Sequence, residues 1–527
     1  MREGLLLRRE VYCISILTSL AVTGCFGGDE GEVNDTSETS DETGTIYDTA
    51  KVTDITEEPL ECVIQVGGCD LILEPDDESY IYLHGPGYWA DDGLDHSGET
   101  ICIPSGHYNA LSFNGLRGSE DSPILITNCG EGRVVVDAQG VSSALAAHGG
   151  RYLHISGTGD SAQEHGFLFK NAGSGRTVVD MHTGVSDIEV DHVEVEGPAY
   201  AGIAIRNYPY CDESLSRTVF TQNNTHIHHN YVHDVSGEGL YIGPSHYFED
   251  YSPTSGEECS PGFPEAALIG VQIHDNIVED VGRDGIQVGA AIEGLSINNN
   301  TVRRYALLGD FGHNGGVQIN PGSVGLVYGN LIESALGGSS DNAVQFAGGV
   351  DGPTYIYNNM ILGSATPFIA LSRMGSPDSD VLFLNNTVVN QGNSGHTMTL
   401  FCSEEWVQNF YFKNNIFSNY EYVGHYIYTG SNGEVWTGLV GGGSAVNCPI
   451  NGLVHENDID DNHQIEGNLY LQDPLEVGFV DVLGADYHLE NGSPAIATGA
   501  NLSELFTDDF EGGERNDGPF DMGALKY

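Results

Sequence analysis

The sequence predicts an all-β solenoid in which each coil holds three short strands. A segment that ends in Asn recurs at spacings of about 24 to 30 residues. Apolar residues alternate before and after each Asn, as they do in short strands with one buried face. No unit has a helical stretch, which excludes a parallel sheet built with helical crossovers. The recurring asparagines are Asn276, Asn300, Asn330, Asn359, Asn386 and Asn415.

The recurring Asn has a physical reason at the corner of a coil. Asn tolerates the left-handed backbone conformation, and its side-chain amide is able to bond the Asn of the coils above and below. Stacked coils place equivalent strands about 4.8 Å apart. Asn230 fits the pattern but lies much further from Asn276 than the other spacings allow. Two long coil junctions, 207–222 and 243–268, are therefore predicted insertions.

The chain is strongly acidic, with 18 Lys and Arg against 76 Asp and Glu and a formal charge of −58. Nucleic-acid binding rests on basic side chains that release counterions from phosphates, so this charge argues against a nucleic-acid partner. It also argues against adhesion of the folded body to anionic lipid. A surface of this kind stays soluble by self-repulsion and attracts divalent cations.

The first residues have the features of an export signal. A basic start precedes an apolar stretch, residues 11–22, that is too short to span a bilayer. The segment Val22–Cys25 resembles a bacterial lipobox, which implies removal of residues 1–24 and a lipid on Cys25; an ordinary secretory signal cut nearby is the alternative. Residues 25–60 are rich in Asp, Glu, Thr and Ser, and we expect an acidic disordered tether there. The expected location is the cell envelope, as an outer-membrane lipoprotein, or the cell surface or exterior.

Export also permits disulfides, and eight cysteines remain once the leader and Cys25 are set aside. Cys211 and Cys259 lie one in each predicted insertion, which predicts a bond between them. No CxxC pair exists, which argues against a zinc ribbon. The other predicted pairs are Cys402–Cys448 by similar reasoning, and Cys62–Cys69 and Cys102–Cys129 by nearness in the sequence.

Both ends of the repeat region carry motifs that resemble known proteins. The opening segments lie at 101–108, 122–128 and 134–138, and the closing ones, AspTyrHisLeu, SerProAlaIle and PheAspMetGlyAla, at 486–489, 493–496 and 520–524. With the Asn repeat, they resemble the right-handed parallel β-helix superfamily, which includes pectate, alginate and chondroitin lyases and polygalacturonase-type hydrolases. Where that family commonly has Asp after SerProAlaIle, this chain has Ala497. The resemblance implies the scaffold rather than the reaction.

This resemblance divides the chain into an N-terminal cap and first coil (61–130), β-helix repeats (131–430), and a last coil with a C-terminal cap (431–527). In the family, the Asn turn lies between the second and third sheets. That assigns Gly285–Gly289 and its equivalents to the first sheet, where the family's substrate cleft usually runs. The side chains expected to point outward from this sheet are Ala204, Tyr241, Gln287, Gln318, Gln345 and Ala370. The turn residues before them are Glu238, Arg283, Asp284, His313, Asn314 and Asp341.

Glu238 and Asp284 are the sharpest pair of candidates on this sheet. Segments 235–243 and 281–289 align position for position, so neighbouring coils place the two carboxylates about 5 Å apart. Two such carboxylates suit Ca²⁺ together with backbone oxygens and water. The same separation suits the acid and nucleophile of a retaining glycosidase. The plainer interpretation is that acidic residues before Gly are good turn formers.

Arg206, Arg283 and Arg373 lie beside the inferred cleft in a chain with few basic residues. A lyase neutralises a uronate carboxylate so that the C5 proton can be removed, and an Arg or Ca²⁺ does this. Arg283 or Arg206 is thus the candidate base or carboxylate clamp, with salt bridges as the alternative role. The structural alternatives to substrate binding are an external amide ladder for the glutamines and a packed cap for the residues of the insertions. The predicted substrate contacts are Tyr241, Gln287, Gln318, Gln345, His313, Arg373, Tyr247 and Tyr251.

A cluster of histidines suggests a further metal hypothesis. His228 and His274 align on the outward side of the second sheet, and two His at strand spacing are able to bind Zn²⁺ or Cu²⁺. No third ligand is evident, which favours ordinary surface histidines. The cluster also contains His226, His229 and His233.

Three functions remain open from the sequence. The leading hypothesis is a lyase that cleaves an acidic polysaccharide by β-elimination, with Glu238 and Asp284 binding Ca²⁺. A glycoside hydrolase that uses the same carboxylates on a neutral glycan is the enzymatic alternative, and a non-catalytic module that binds glycan or a partner is the third. We expect a monomer that reaches the membrane only through its lipid anchor.

Overall fold

The structure of the protein is a computed structural model that describes most of the chain from residue 68 onward. Backbone and side chains are described for 68–88, 91–209, 213–249, 262–310, 312–335, 341–370, 376, 379–390, 410–419, 467–515 and 518–527. The backbone alone is described for 52–53, 250–251, 398–402, 425–429 and 463–466. The predicted leader, Cys25 and the expected tether, apart from the short strand Val52–Thr53, lie outside these residues.

The described chain forms a right-handed parallel β-helix, as the sequence predicts. A first sheet of 12 strands pairs each strand with its equivalent one coil on, and all of these pairings are parallel. Its strands are Tyr80–Tyr82, Ala110–Ser112, Leu145–Ala146, Thr177–Met181, Ala201–Ile205, Glu238–Ile242, Ile286–Val288, Gly315–Ile319, Asn342–Phe346, Thr366–Ala370, Met398–Cys402 and His425–Thr429.

The remaining coil strands form a second and a third sheet, which are continuous through two long strands that serve both, Thr100–Tyr108 and Ile124–Asp137. The second sheet also contains Leu71–Leu73, Arg151–Ser156, Ser186–Asp191, Thr221–His228, Ala267–His274, Ala291–Glu293, Leu295–Asn298, Gly325–Tyr328, Thr354–Tyr357, Val381–Leu384, Phe410–Lys413 and His463–Glu466. The third contains Phe167–Lys170, Val193–Glu196, Tyr231–His233, Ile277–Glu279, Thr301–Arg303, Leu331–Glu333, Met360–Leu362, Thr387–Val389, Ile416–Ser418 and Leu469–Leu471.

Parallel stacking begins earlier than residue 131, where the sequence places the start of the repeats. Leu71–Leu73 already pairs in parallel with Thr100–Tyr108, and Val52–Thr53 adds an antiparallel strand to it. At the other end, helix Pro474–Val477 and the hairpin Phe479–Asp481/Asp486–Leu489 follow the last coil. Among the described residues, no helix has the length and apolar character needed to span a bilayer.

The asparagine column joins the second and third sheets through eight coils. Each Asn Nδ2 donates to the Oδ1 of the next Asn at 2.8–3.1 Å, and the backbone N–H of each donates to the same oxygen. Every member is almost fully buried. The column is Asn230, Asn276, Asn300, Asn330, Asn359, Asn386, Asn415 and Asn468, so it extends one coil beyond the predicted row.

The left-handed backbone at this corner belongs to the residue before each ladder Asn, which corrects the sequence interpretation. Asp275 and Asn299 have φ of 55° and 54°, and Gly329 has 63°. The ladder asparagines that follow them have no positive φ. Their role is therefore the amide bonds alone, and the turn is made one position earlier.

The inward-facing side chains form one continuous apolar core along the axis. In the later coils Phe368 and Phe383 lie 5.7 and 5.6 Å from the ring of Phe412, centroid to centroid. Ala370, predicted to point outward, belongs to this core and pairs with Phe346. The outward position of that strand is Ile369, which pairs with Gln345, so the predicted alignment is wrong by one residue there.

The predicted insertions follow two neighbouring strands of the first sheet, Ala201–Ile205 and Glu238–Ile242, and they pack against each other. The backbone N–H of Arg217, in the first insertion, donates to the carbonyl of Pro264 in the second at 3.2 Å. The Arg217 guanidinium donates to the carbonyl of Tyr247 and lies 4.2 Å from the centroid of its ring.

The described disulfide joins Cys69 to Cys102. The predicted pairs Cys62–Cys69 and Cys102–Cys129 are therefore wrong. Parallel pairing places Ile72 beside Cys102, so the segment that carries Cys69 lies next to Cys102 in the adjacent coil. Nearness in the sequence does not predict the pairing for that reason. Cys129 is also disulfide-bonded. The side chains of the other predicted pairs, Cys211–Cys259 and Cys402–Cys448, lie outside the described residues.

Candidate functional site

The outward face of the first sheet is open in its first coils and covered in the later ones. The register forms one column through Tyr82, Ser112, Ala146, Asp180, Ala204, Tyr241, Gln287, Gln318, Gln345 and Ile369. The first four side chains are partly exposed. From Ala204 onward every side chain is at most 9% exposed. Among the coils whose side chains are described, this column is therefore accessible to solvent from Tyr82 to Asp180 and closed from Ala204 to Ile369.

Glu238 and Asp284 lie on adjacent coils as the sequence predicts, but both are completely buried. The Nδ1 of His313 lies 3.1 Å from Glu238 Oε1 and 3.7 Å from Asp284 Oδ2. Arg283 Nη1 lies 3.6 Å from the same Glu238 oxygen, and its Nε donates to Asp310 at 3.0 Å. We call Glu238, Asp284, His313 and Arg283 the buried ion cluster.

Burial and charge shift the pKa values inside this cluster. Desolvation raises the pKa of Asp284 to about 6, although His313 and the backbone N–H of Gly315, which donates to it at 2.7 Å, both act to lower it. Burial by itself lowers the pKa of His313, but Asp284 and Glu238 outweigh burial and raise it to about 9. His313 is therefore a cation at neutral pH.

These contacts do not fit the predicted Ca²⁺ site. Calcium takes six to eight oxygen ligands, usually including water. Here an imidazolium and a guanidinium already face Glu238, and both carboxylates are fully buried. The pair cannot touch a sugar either, so the glycosidase pairing of Glu238 with Asp284 is not supported. The residues instead form an internal ion network.

The predicted substrate contacts Tyr241 and Gln287 are held beneath the second insertion. The hydroxyl of Ser245 lies 2.7 Å from the Tyr241 hydroxyl and accepts from Gln287 Nε2 at 3.0 Å. Asn320 Nδ2 donates to the same oxygen at 2.9 Å. The Ser245 hydroxyl thus joins the second insertion to side chains of three successive coils.

Gln318 and Gln345 continue this covered column as an amide ladder. The side-chain amides of Gln318 and Gln345 lie 2.8 Å apart, and with its nitrogen turned toward Asp284 the Gln318 amide donates to that carboxylate at 3.1 Å. Both side chains are at most 2% exposed. These glutamines therefore form an amide ladder, as the structural alternative proposed, and are too buried to contact a sugar.

Two other predicted residues, Arg206 and Tyr247, are held by contacts within the protein. The Arg206 guanidinium lies 5.3, 5.3 and 4.3 Å from the ring centroids of Tyr200, Tyr208 and Tyr241, a cation–π cage. Tyr247 packs on the core and beneath Arg217. Arg373 and the side chain of Tyr251 lie outside the described residues.

The open half of the sheet holds a pocket of about 350 Å³ that the sequence analysis did not find. Its volume falls within the range of small-ligand sites. Tyr80 and Tyr82, whose rings stack 5.8 Å apart, line one side. Arg176 is exposed and forms no ion pair with any described residue. The remaining polar lining comes from Ser112, Ser142, Ser143, His148, Asp180 and His182.

His148, Asp180 and His182 form a compact group in this open pocket. The Oδ2 of Asp180 lies 3.8 Å from the Nε2 of His148 and 3.8 Å from that of His182. The two imidazoles stack with centroids 3.7 Å apart. Burial, and then the neighbouring His148, lower the pKa of His182 to about 4. We call these three residues the His–Asp–His group.

The group could have been recognised from two short segments. Leu145–His148 and Val179–His182 share an apolar residue at the first and third positions and His at the fourth. The register pairs Leu145 with Val179 and Ala146 with Asp180. These coils precede the first ladder Asn, so the asparagine repeat gave no register for them.

The histidine cluster of the second sheet is arranged as predicted. His228 pairs with His274, and their rings stack 4.9 Å apart at an interplanar angle of 3°. His228 Nε2 lies 3.0 Å from Glu189, and His274 Nδ1 lies 2.8 Å from Asp275. The carboxylates therefore already occupy these ring nitrogens, as in ordinary surface ion pairs.

The sequence matches no protein-family model and no curated protein. Several solved structures are similar in fold. The pectate lyase Pel9A is 14% identical, with a TM-score of 0.39 over 82% of this chain and 89% of that chain. The A-module of the Azotobacter vinelandii mannuronan C-5 epimerase AlgE4 is 12% identical (TM-score 0.41, 71% and 87%). An alginate lyase from Paenibacillus sp. str. FPU-7 is 16% identical (TM-score 0.26, 71% and 91%).

Proposed function

We propose that the protein binds an acidic polysaccharide in the open pocket of the first sheet and cleaves it by β-elimination. One observation carries the proposal. Arg176 is exposed and free of ion pairs with the described residues, in a chain of charge −58, and it lines a pocket with tyrosine walls. An unpaired cation among so many acids is expected to serve an anionic ligand.

The pocket chemistry supports binding and charge neutralisation. In β-elimination a base takes the C5 proton, the C4–O bond breaks, and the glycosidic oxygen leaves with the other part of the chain and takes up a proton from solvent. A guanidinium that pairs with the uronate carboxylate stabilises the negative charge that develops as the C5 proton is removed. The stacked rings of Tyr80 and Tyr82 offer flat faces to the apolar side of a sugar, and serine hydroxyls suit its hydroxyl groups. Arg176 thereby takes the role of carboxylate clamp that the sequence analysis assigned to Arg283 or Arg206.

The cellular location is part of the same proposal. A disulfide such as Cys69–Cys102 persists in oxidising compartments. Together with the export signal, it supports a place in the cell envelope or outside the cell, where polysaccharides are met. Attachment through a lipid on Cys25 is the form that we propose.

The test is incubation of the purified protein with a panel of acidic polysaccharides, following ultraviolet absorbance of unsaturated uronides and the appearance of reducing ends. We expect both signals to rise together on at least one polyuronate. Arg176→Ala should lower kcat/KM by about 10- to 100-fold, the value of a charge-assisted hydrogen bond.

Arg303→Ala is the matched control. Arg303 lies on the third sheet and pairs with Glu333 at 3.1 Å, so its loss should leave the rate unchanged. Reducing ends without ultraviolet absorbance would show hydrolysis instead of elimination. No product from any substrate, or an Arg176→Ala variant as fast as the parent, would reject the proposal.

A further inference from the structure

We propose that His148, Asp180 and His182 bind one transition-metal ion of the Zn²⁺ type in the open pocket. The inference goes beyond polysaccharide cleavage and stands without it, because it rests on the donor atoms of the group. Two similar segments, Leu145–His148 and Val179–His182, supply the ligands, and the register of their strands brings the three side chains together.

The distances suit an ion of this size. One ligand atom from each residue lies within 4.8 Å of the other two, and both Nε2–Oδ2 distances are 3.8 Å. Zn²⁺ takes nitrogen and oxygen ligands at about 2.0–2.2 Å, so tetrahedral ligands lie about 3.4 Å from one another. The two His–Asp distances exceed this value by about 0.4 Å, so a modest closing of the Asp180 carboxylate and a tilt of the stacked imidazoles would bring the three ligand atoms onto one ion.

Two details of the imidazoles favour a metal over a hydrogen-bonded triad. The Nε2 of His148 is shielded from solvent and has no hydrogen-bond partner among the described residues. The Nδ1 of His182 contacts the hydroxyl of Thr183, which is able to accept a hydrogen bond from Nδ1–H, so that the lone pair lies on Nε2. Metal-bound histidines commonly donate their second ring nitrogen in this way.

The donor set also selects the class of ion. Imidazole nitrogen suits Zn²⁺, Cu²⁺, Ni²⁺ and Co²⁺, whereas Ca²⁺ prefers a shell of oxygens. Three protein ligands leave a coordination position open, which is the arrangement of catalytic rather than structural zinc. The three ligand residues line the same pocket as Arg176, so an anionic group bound there would meet both the ion and the guanidinium.

Three other groups of histidines and carboxylates lack these features, and in one of them, His154, Glu189 and Asp191, the Nε2 of His154 already contacts Asp191. His229, His274 and Asp275 form the second group, and Glu194, Glu196 and His233 the third. In both, a histidine nitrogen already lies 2.7–2.8 Å from a neighbouring carboxylate oxygen. None of these residues lines the open pocket. They therefore provide matched controls.

The experiment is calorimetric titration of the metal-free protein with ZnCl₂ in physiological NaCl and excess Ca²⁺, which occupies the acidic surface. We expect one Zn²⁺ per chain. His182→Gln and Asp180→Asn should each weaken binding by at least about 100-fold, since even residues behind the ligands alter affinity 10- to 100-fold. His274→Gln should bind Zn²⁺ like the parent.

A Co²⁺ titration provides a second readout, because the visible spectrum of Co²⁺ reports its ligands. The bands should appear with the parent protein and with His274→Gln, and be absent with His182→Gln. Thermal unfolding without metal identifies any variant that fails to fold, and His148→Gln then replaces it. Lack of stoichiometric Zn²⁺ binding by the parent, or parent-like binding by folded ligand variants, overturns the proposal.

Discussion

His313 is the residue on which the charge balance of the buried ion cluster depends. Its Nδ1 faces Glu238 and Asp284, both without solvent contact. Uncompensated carboxylates at such positions are costly, because burial removes their hydration. The imidazolium therefore acts as the internal counter-ion of two coils.

The pH dependence of stability follows from the pKa of His313, which these carboxylates raise to about 9 against burial. A raised histidine pKa stabilises the fold fully below its ordinary value near 6.5, and that contribution disappears as the pH rises through about 9. We expect the free energy of unfolding to fall by about 2–3 kcal/mol across this window. Chemical denaturation at a series of pH values measures it.

His313→Gln should remove most of this dependence, whereas His107→Gln, on an exposed side chain, should retain it. The ionisation of Asp284 affects stability in a separate, lower pH range. Its pKa is raised to about 6 by burial, so its ionisation destabilises the fold as the pH rises from about 4 to 6. An unchanged alkaline slope in His313→Gln would contradict the assignment.

Some properties of the site residues could be predicted from the sequence and others could not. The proximity of Glu238 and Asp284 was predictable because both precede a glycine at the same position of aligned coils. Their complete burial was not, because it depends on how the side chains of His313 and Arg283 fold over them, and the repeat does not encode those conformations. His148 and His182 were missed because their coils lack the ladder Asn that supplied the register.

At the scale of the element, the asparagine column is the feature that the sequence predicted best. Asn330 accepts from the backbone N–H and the Nδ2 of Asn300, each at 3.0 Å. It donates to the carbonyl of Ile297 and to Asn359 Oδ1 at 2.9 and 3.0 Å. Each bond joins one coil to another, so the column holds the stack together along its axis.

Asn330→Ala should therefore lower the free energy of unfolding by at least about 3 kcal/mol, because it strands buried donors that cost about 1–3 kcal/mol each. Urea denaturation provides the measurement. Asn298→Ala, at a partly exposed position of the preceding coil, should cost less than about 1 kcal/mol. Equal losses from the two substitutions would mean that the column does not stabilise the stack.

Strand alignment was predictable wherever inward and outward residues differ in polarity. Tyr241, Gln287, Gln318 and Gln345 stand in one column because polar residues alternate with apolar ones in those strands. Strand Thr366–Ala370 ends in three apolar residues, so its pattern does not distinguish the faces. The one-residue error at Ala370 arises there.

At the scale of the whole molecule, the charge of −58 opposes the compact state. Repulsion between exposed charges is confined to about 8 Å at physiological ionic strength and reaches about 30 Å at 0.01 M. We expect the melting temperature to rise as NaCl is increased from millimolar to physiological concentration. A melting temperature independent of NaCl in differential scanning calorimetry would show that ion pairs already balance the surface.

The cover that begins at Ala204 gives the long axis of the molecule a direction. A linear ligand bound along the first sheet would run over the partly exposed side chains from Tyr82 to Asp180 and would then meet the buried column that begins at Ala204. The tyrosine cage around Arg206 lies at this boundary. If such a ligand is bound in the pocket, we therefore expect the pocket to hold it close to one of its ends.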